Sequence, residues 1–248
     1  MIYVRRPDEI EKVRASGRVV AEALELAGSL IAPGVQTRDI DRKVEELIRS
    51  RGATPSFLGY HDFPASTCLS VNEQVVHGIP SDRALKEGDI IGVDVGAFLE
   101  GYHGDAARTF PVGEVSPEAR RLLQVAEESL LAGIGAIRPG LRVGAISHAV
   151  QSHVEAAGYS VVRDLVGHGV GRKLHEEPQV PNFGPRESGA LLREGMVLAI
   201  EPMVNLGVYD VYTLEDEWTV VTRDGKLSAH FEHTVAVTAA GAEILTRL

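Results

Sequence analysis

Residues 33–52 read PGVQTRDIDRKVEELIRSRG, and residues 139–158 read PGLRVGAISHAVQSHVEAAG. Aligned on their Pro-Gly openings, the two stretches place Ile40 on Ile146, Val44 on Val150, Ile48 on Val154 and Gly52 on Gly158. Apolar residues four apart, stopped by glycine, are the signature of an amphipathic helix with a C-terminal cap. A longer helical pattern precedes each copy. It runs over residues 8–31 with Ile10, Val13, Val20, Leu24 and Leu30, and over 117–137 with Leu122, Leu123, Ala126, Leu130, Ile134 and Ile137. Ser116 followed by Pro117 supplies an N-cap and a first-turn proline for the second of these. The repeat continues into strands: LKEGDIIGVDVG (85–96) matches LREGMVLAIEPM (192–203), with Asp94 falling on Glu201. Such self-similarity predicts two similar halves, each of helix, helix and strands, roughly 1–113 and 114–248. No low-complexity linker separates the halves, so the whole of 1–248 is expected to form one domain.

Composition narrows the function classes. The 248 residues carry 25 Lys+Arg against 35 Asp+Glu, a net charge of -10, which argues against a surface for nucleic acid. No apolar run approaches the ~18 residues needed to cross a membrane, and the charged opening MIYVRRPDEIEKVRAS lacks a signal-peptide core. Cys68 is the single cysteine, so no internal disulfide can form and a reducing cytoplasm is the expected location.

Carboxylates inside strand-like runs carry the chemistry. Asp is disfavoured in strands, and a buried charge needs a partner. Yet Asp94 sits in IIGVDVGAF, sharing a face with Gly92 and Gly96, which would leave open volume beside it. HGDAARTF (103–110) reads as the next strand after a turn near Glu100-Gly101, which gives Asp105 the parity to face Asp94 directly or diagonally. Glu201 in MVLAIEPMV and Glu232 in SAHFEHTVAVT repeat the anomaly. Solvated carboxylates on an exposed face are the alternative reading. If buried together, they need divalent cations, and a histidine would add ligand character suited to Mn, Fe, Co or Zn. VGHGVGRKLHEEP (166–178) supplies that histidine. Its glycines lack the G-x-G-x-x-G spacing of a dinucleotide loop, and its histidines do not form H-E-x-x-H. His168 is therefore the nitrogen-ligand candidate, with glycines letting the backbone approach the metal; a loop whose histidines satisfy local hydrogen bonds is the competing reading.

Five segments, VNEQVVHGIP (71–80), IIGVDVGAFLEGYHGDAARTF (90–110), VGHGVGRKLHEEPQVPNF (166–183), AIEPMV (199–204) and AHFEHT (229–234), resemble in order and spacing the motifs of type I methionine aminopeptidases. The resemblance covers nearly the whole chain. It implies the pita-bread fold, an α+β architecture whose pseudo-symmetric halves surround a two-metal site. It also implies removal of the N-terminal methionine from nascent proteins and peptides by hydrolysis of the first peptide bond. Asp94, Asp105, His168, Glu201 and Glu232 match the metal ligands, Asp105 and Glu232 bridging two divalent ions (Co, Mn, Fe or Zn). Glu201 would assist proton transfer to and from a metal-activated water, His77 would contact the scissile amide nitrogen, and His175 the carbonyl oxygen. Tyr60, Phe63, Cys68, His77 and Trp218 fall at methionine-pocket positions. Phe57 and Leu174 align with further pocket positions but differ from the residues of some bacterial members, which leaves the pocket's shape open. His61, His103, His148, His153, His230 and His233 are assigned no role. The implied partners are N-terminal methionyl peptides and nascent chains, with the ribosome a further candidate, for a monomer that binds neither nucleic acid nor membrane. An Xaa-Pro aminopeptidase or prolidase, and a non-catalytic binding protein on the same fold, are the alternatives; chain length and the HGIP and GHGVGRKLHEEP contexts disfavour the first.

Overall fold

In the computed structural model, which describes residues 1–248, helix α1 spans Pro7–Leu30, α2 Thr37–Ser50, α3 Pro117–Gly135 and α4 Gly144–Ala156. Their ends follow from local chemistry. Pro7 and Pro117 occupy first-turn positions where an amide hydrogen has no helical partner. The Glu9 carboxylate accepts from the Arg6 amide at 3.1 Å, and the Ser116 hydroxyl accepts from the Ala119 amide at 3.1 Å. Gly52 and Gly158 follow α2 and α4 with φ of 73° and 85°, a left-handed conformation that glycine adopts without steric penalty. The Pro-Gly pairs expected to open the repeated helices instead form the turns before them, so α2 and α4 begin four to five residues later than the sequence pattern suggested. Ile40, Val44 and Ile48 on α2 and Ile146, Val150 and Val154 on α4 form the buried stripes. Each such side chain contributes about 1.5–3 kcal/mol relative to exposure.

Each helix pair covers an antiparallel sheet. In the first half the central strand Ile90–Leu99 lies between Thr67–Val71 and Tyr102–Pro111, with the short strand Thr54–Pro55 also paired to it. The hairpin between the two long strands turns through Glu100 and Gly101, both with positive φ (52° and 84°), which matches the right-handed strand twist. In the second half the order is Gly241–Ile244, His233–Thr238, Val197–Ile200, Gly167–Gly169, Glu176–Val180. The apolar core is correspondingly double. One cluster of 18 buried residues sits under α1 and α2, and one of 24 under α3 and α4. A smaller cluster including Val13, Tyr102, Val170 and Val197 ties α1 to the second sheet.

The two sheets meet along Tyr102–Pro111. The Thr234 hydroxyl donates to the Asp105 carbonyl at 2.7 Å and accepts from the Asp105 amide at 3.1 Å. The Glu232 amide donates to the Ala107 carbonyl at 2.8 Å, and the Thr109 hydroxyl both donates to the His230 carbonyl and accepts from its amide. These bonds align the carboxylate-bearing segments of the two halves. On the helix side, α1 lies against the same strand at backbone contact: a Cβ on Gly104 would sit 2.8 Å from the Gly17 nitrogen. Neither backbone can yield without unseating the helix. Gly104→Ala is expected to lower stability by about 1–3 kcal/mol, read as a lower urea midpoint at unchanged slope; an unchanged midpoint would show that the helix is not seated this closely.

Candidate metal centre and substrate pocket

The strand register brings the carboxylates together. Asp105 pairs with Gly96 and Asp94 with Ala107, so the two aspartates are diagonal neighbours on one face, and Cys68 opposite Asp94 shares it. In the second sheet Ala199 pairs with both His168 and Thr234. Two residues from these partners, Glu201 and Glu232 lie just past the ends of their strands rather than within them, on the side that His168 occupies. The strand end matters, because the backbone there is free to bring Glu232 across to Ala107.

The ligand atoms of Asp105, His168 and Glu232 lie within 4.8 Å of one another, all three residues being buried. His168 Nε2 is 3.8 Å from Asp105 Oδ2 and 3.5 Å from Glu201 Oε1. Its Nδ1 lies 2.9 Å from the Gly169 carbonyl oxygen. That oxygen only accepts, so Nδ1 carries the hydrogen and Nε2 presents its lone pair to the carboxylates, the tautomer a metal requires. Asp94 Oδ1, Asp105 Oδ1 and Glu232 Oε1 are buried with no hydrogen-bond donor. Burial pushes Asp94 up to about 7. Burial, then Asp94 and Glu201, raises Asp105 well above the carboxylate range. Glu201 is raised by burial and Asp94, and Glu232 by burial, Asp105, Glu201 and Asp94. Anionic oxygens crowded together without donors, beside a neutral imidazole, fit divalent cations and fit little else.

A cavity of about 130 Å³ opens beside this cluster. Phe57, Phe63, Cys68, Leu174 and Trp218 line its apolar side, and the Phe63 and Trp218 rings meet edge-on at 5.0 Å. His77, His175 and Tyr60 stand between the apolar wall and the carboxylates. His77 has φ 59°, a left-handed conformation rare for a non-glycine residue, and its ring meets Trp218 edge-on at 6.2 Å. Burial, then the charge of His175, pushes His77 down to about 4. Burial and His61 lower His175, whose ring lies 4.2 Å from that of His168.

Every residue singled out from the sequence lines this one site, but three expectations change. Tyr60 does more than wall the pocket, since its hydroxyl lies 2.7 Å from His175 Nδ1. The space beside Gly96 is filled by Phe57 and Ser56 rather than left open, which is how Phe57 reaches the cavity wall. The glycines of VGHGVGRKLHEEP serve protein contacts rather than a ligand: side chains on Gly167 and Gly169 would collide with the Ala199 and Glu177 carbonyls. His168 accordingly sits on a strand, and only residues 170–175 form a loop. Two roles escaped the sequence. Thr234 bridges the sheets to Asp105, which strand parity with Glu232 could have indicated. His230, assigned nothing, is buried with Nε2 4.0 Å from Glu232 Oε2, a proximity that no local pattern encodes.

The sequence pattern of metallopeptidase family M24 matches residues 11–239. Methionine aminopeptidase 1 of Bacillus subtilis is 54% identical over 248 residues, covering all of both chains. The crystal structure of methionine aminopeptidase from Thermotoga maritima superposes with a TM-score of 0.99 at 48% identity, again over the whole of both chains. A prolidase from Pyrococcus furiosus shares the pita-bread fold with a TM-score of 0.81 at 25% identity, but this chain covers only 65% of its length.

The crowded carboxylates predict how stability responds to metal. A carboxyl whose folded pKa exceeds its unfolded value stabilises the fold at low pH, and that contribution is lost as pH rises. For Asp94 the loss falls between about 4 and about 7. Chelated protein should therefore weaken across that window relative to protein given excess Mn, so the Mn-dependent rise in Tm should grow from pH about 5 to pH about 8. Thermal melts in EDTA and in Mn measure it; a Tm difference that is flat with pH contradicts the cluster as drawn.

Proposed function

The chain belongs to metallopeptidase family M24, and from that premise we propose that it is a methionine aminopeptidase, hydrolysing the first peptide bond of N-terminal methionyl peptides and nascent proteins. The observation that carries this reading is the meeting of two unlike surfaces in one cavity: donor-free carboxylates around His168 on one side, an apolar wall on the other. A single uncharged side chain can enter the cavity while the bond that follows it lies over the carboxylates. A wall of Phe57, Phe63, Leu174 and Trp218 with the Cys68 thiol suits a thioether, whose sulfur packs well on aromatic edges.

Asp94, Asp105, His168, Glu201 and Glu232 would hold two divalent ions, Co, Mn, Fe or Zn, with Asp105 and Glu232 the most deeply buried of the acids. Bound there, the ions supply Lewis-acid polarisation of the scissile carbonyl and make water nucleophilic at neutral pH. Glu201, on the cavity wall and 3.5 Å from His168 Nε2, takes the proton from the attacking water and returns it to the leaving nitrogen. With the Tyr60 hydroxyl donating to His175 Nδ1, 2.7 Å away, His175 Nε2–H would face the substrate and hydrogen-bond the carbonyl oxygen as charge develops. Its lowered pKa makes this a neutral donor at pH 7. His77, also neutral, hydrogen-bonds the scissile amide nitrogen. A carboxylate or ion must also hold the substrate's free amine, so blocked N-termini are excluded. The same reading makes the chain one catalytic unit, built of halves 1–113 and 114–248 and working as a cytoplasmic monomer on nascent chains.

Manganese-loaded protein should release methionine from Met-Ala-Ser and leave Ala-Pro-Ala and N-acetyl-Met-Ala-Ser intact. Cleavage of Ala-Pro-Ala alone would make it a proline-specific peptidase, and turnover of the acetylated peptide would remove the amine requirement. His168→Ala should weaken Mn binding at least about tenfold. His175→Ala should keep Mn affinity while kcat falls about a hundredfold. Equal loss of metal in both variants, measured by calorimetry, would overturn the division of roles.

A further inference from the structure

The loop between His168 and His175 is clamped from a segment about 170 residues away in sequence. The Arg5 guanidinium pairs with the Glu176 carboxylate, and the two side chains are only 5% and 4% exposed. The guanidinium also lies on the Gly171 backbone, where any Cβ would collide with it. The Arg5 amide donates to the Gly195 carbonyl at 2.7 Å, which fixes the segment against the second sheet. Glu176 uses its other oxygen to accept from the Lys173 amide at 3.1 Å, closing the turn that contains His175. The far side of the loop is held to α1, where Arg172 and Glu9 both bond the Tyr102 hydroxyl.

These contacts divide the two histidines. His168 belongs to a strand and is held by its ladder with Ala199. His175 ends the loop between the buried Leu174 and Glu176, with its Nδ1 2.7 Å from the Tyr60 hydroxyl. We propose that Arg5, acting through Glu176, is a positioning residue for His175: the buried ion pair holds that imidazole at the substrate carbonyl while leaving metal binding to the sheet. The inference rests on the methionine aminopeptidase reading, in which His175 serves turnover. Removing the pair lets residues 171–175 sample wider positions, and a displacement of about 1 Å at a catalytic group is enough to lower turnover about a hundredfold.

The test compares the parent with Arg5→Met, Glu176→Gln and the double variant, each Mn-loaded. Glutamine keeps an acceptor for the Lys173 amide and removes only the charge. In both single variants kcat for Met-Ala-Ser should fall by about tenfold to a hundredfold, while KM and Mn affinity stay within about twofold of the parent. Amide hydrogen exchange should accelerate in residues 171–177 and be unchanged in the sheet strands. The double variant should be no worse than the poorer single one, because both act through one interaction. Parental kcat in the single variants, or Mn affinity falling as far as kcat, overturns the proposal. Should Arg5→Met fail to fold around an unpaired carboxylate, the charge-free double variant decides: parental kcat and parental exchange there overturn it equally. A parent that releases no methionine would instead sink the underlying functional reading, which the parent assay alone reveals.

Discussion

Carboxylates in mutual repulsion, at the centre of the molecule and without a single Lys or Arg among the residues lining their cavity, are the constraint on which the rest of the structure depends. Burial pushes all four toward protonation, neighbouring acids add to it for Asp105, Glu201 and Glu232, and three of the four have a buried oxygen without a donor, a poor way to build a core. The arrangement makes sense only as a receptor for positive charge that arrives with metal. The acids are carried on backbone that the two sheets hold in register across Tyr102–Pro111.

Duplication explains how such a centre is built from ordinary parts. Each half is a helix pair on an antiparallel sheet with its own apolar core, stable for the usual reasons. The acids project from the faces where the halves meet, at equivalent places in the repeat: Asp94 in one half, Glu201 in the other. What breaks the symmetry is chemistry for the substrate. His77 is held in a left-handed backbone conformation, the loop with His175 is strapped by a buried ion pair, and Phe57 takes the room that Gly96 provides.

Much of this was legible in the chain. Helical spacing and its glycine stops exposed the repeated helices, and the misplaced carboxylates in strand-like runs pointed to the acid cluster around His168, because both obey periods of a few residues. Parity predicted that Asp94 and Asp105 share a face, and they do so diagonally. Contacts with no period stayed hidden. The Arg5–Glu176 pair joins residues 171 apart, and nothing in RRPDE or LHEEP announces the other. The packing of Phe57 onto Gly96, the approach of His230 to Glu232 and the hydrogen bond from Tyr60 to His175 likewise depend on how elements cross rather than on their sequences. Even the strand ends were misjudged at Glu201 and Glu232, since the same residues would suit one more strand position.

The central claim, that these buried acids and His168 exist to hold paired divalent cations, is tested most directly by anomalous diffraction from crystals soaked in Mn. The account predicts two Mn peaks between Asp94, Asp105, His168, Glu201 and Glu232, both within bonding distance of Asp105 and Glu232. Strong Mn peaks elsewhere on the protein, with none among these residues, would contradict it.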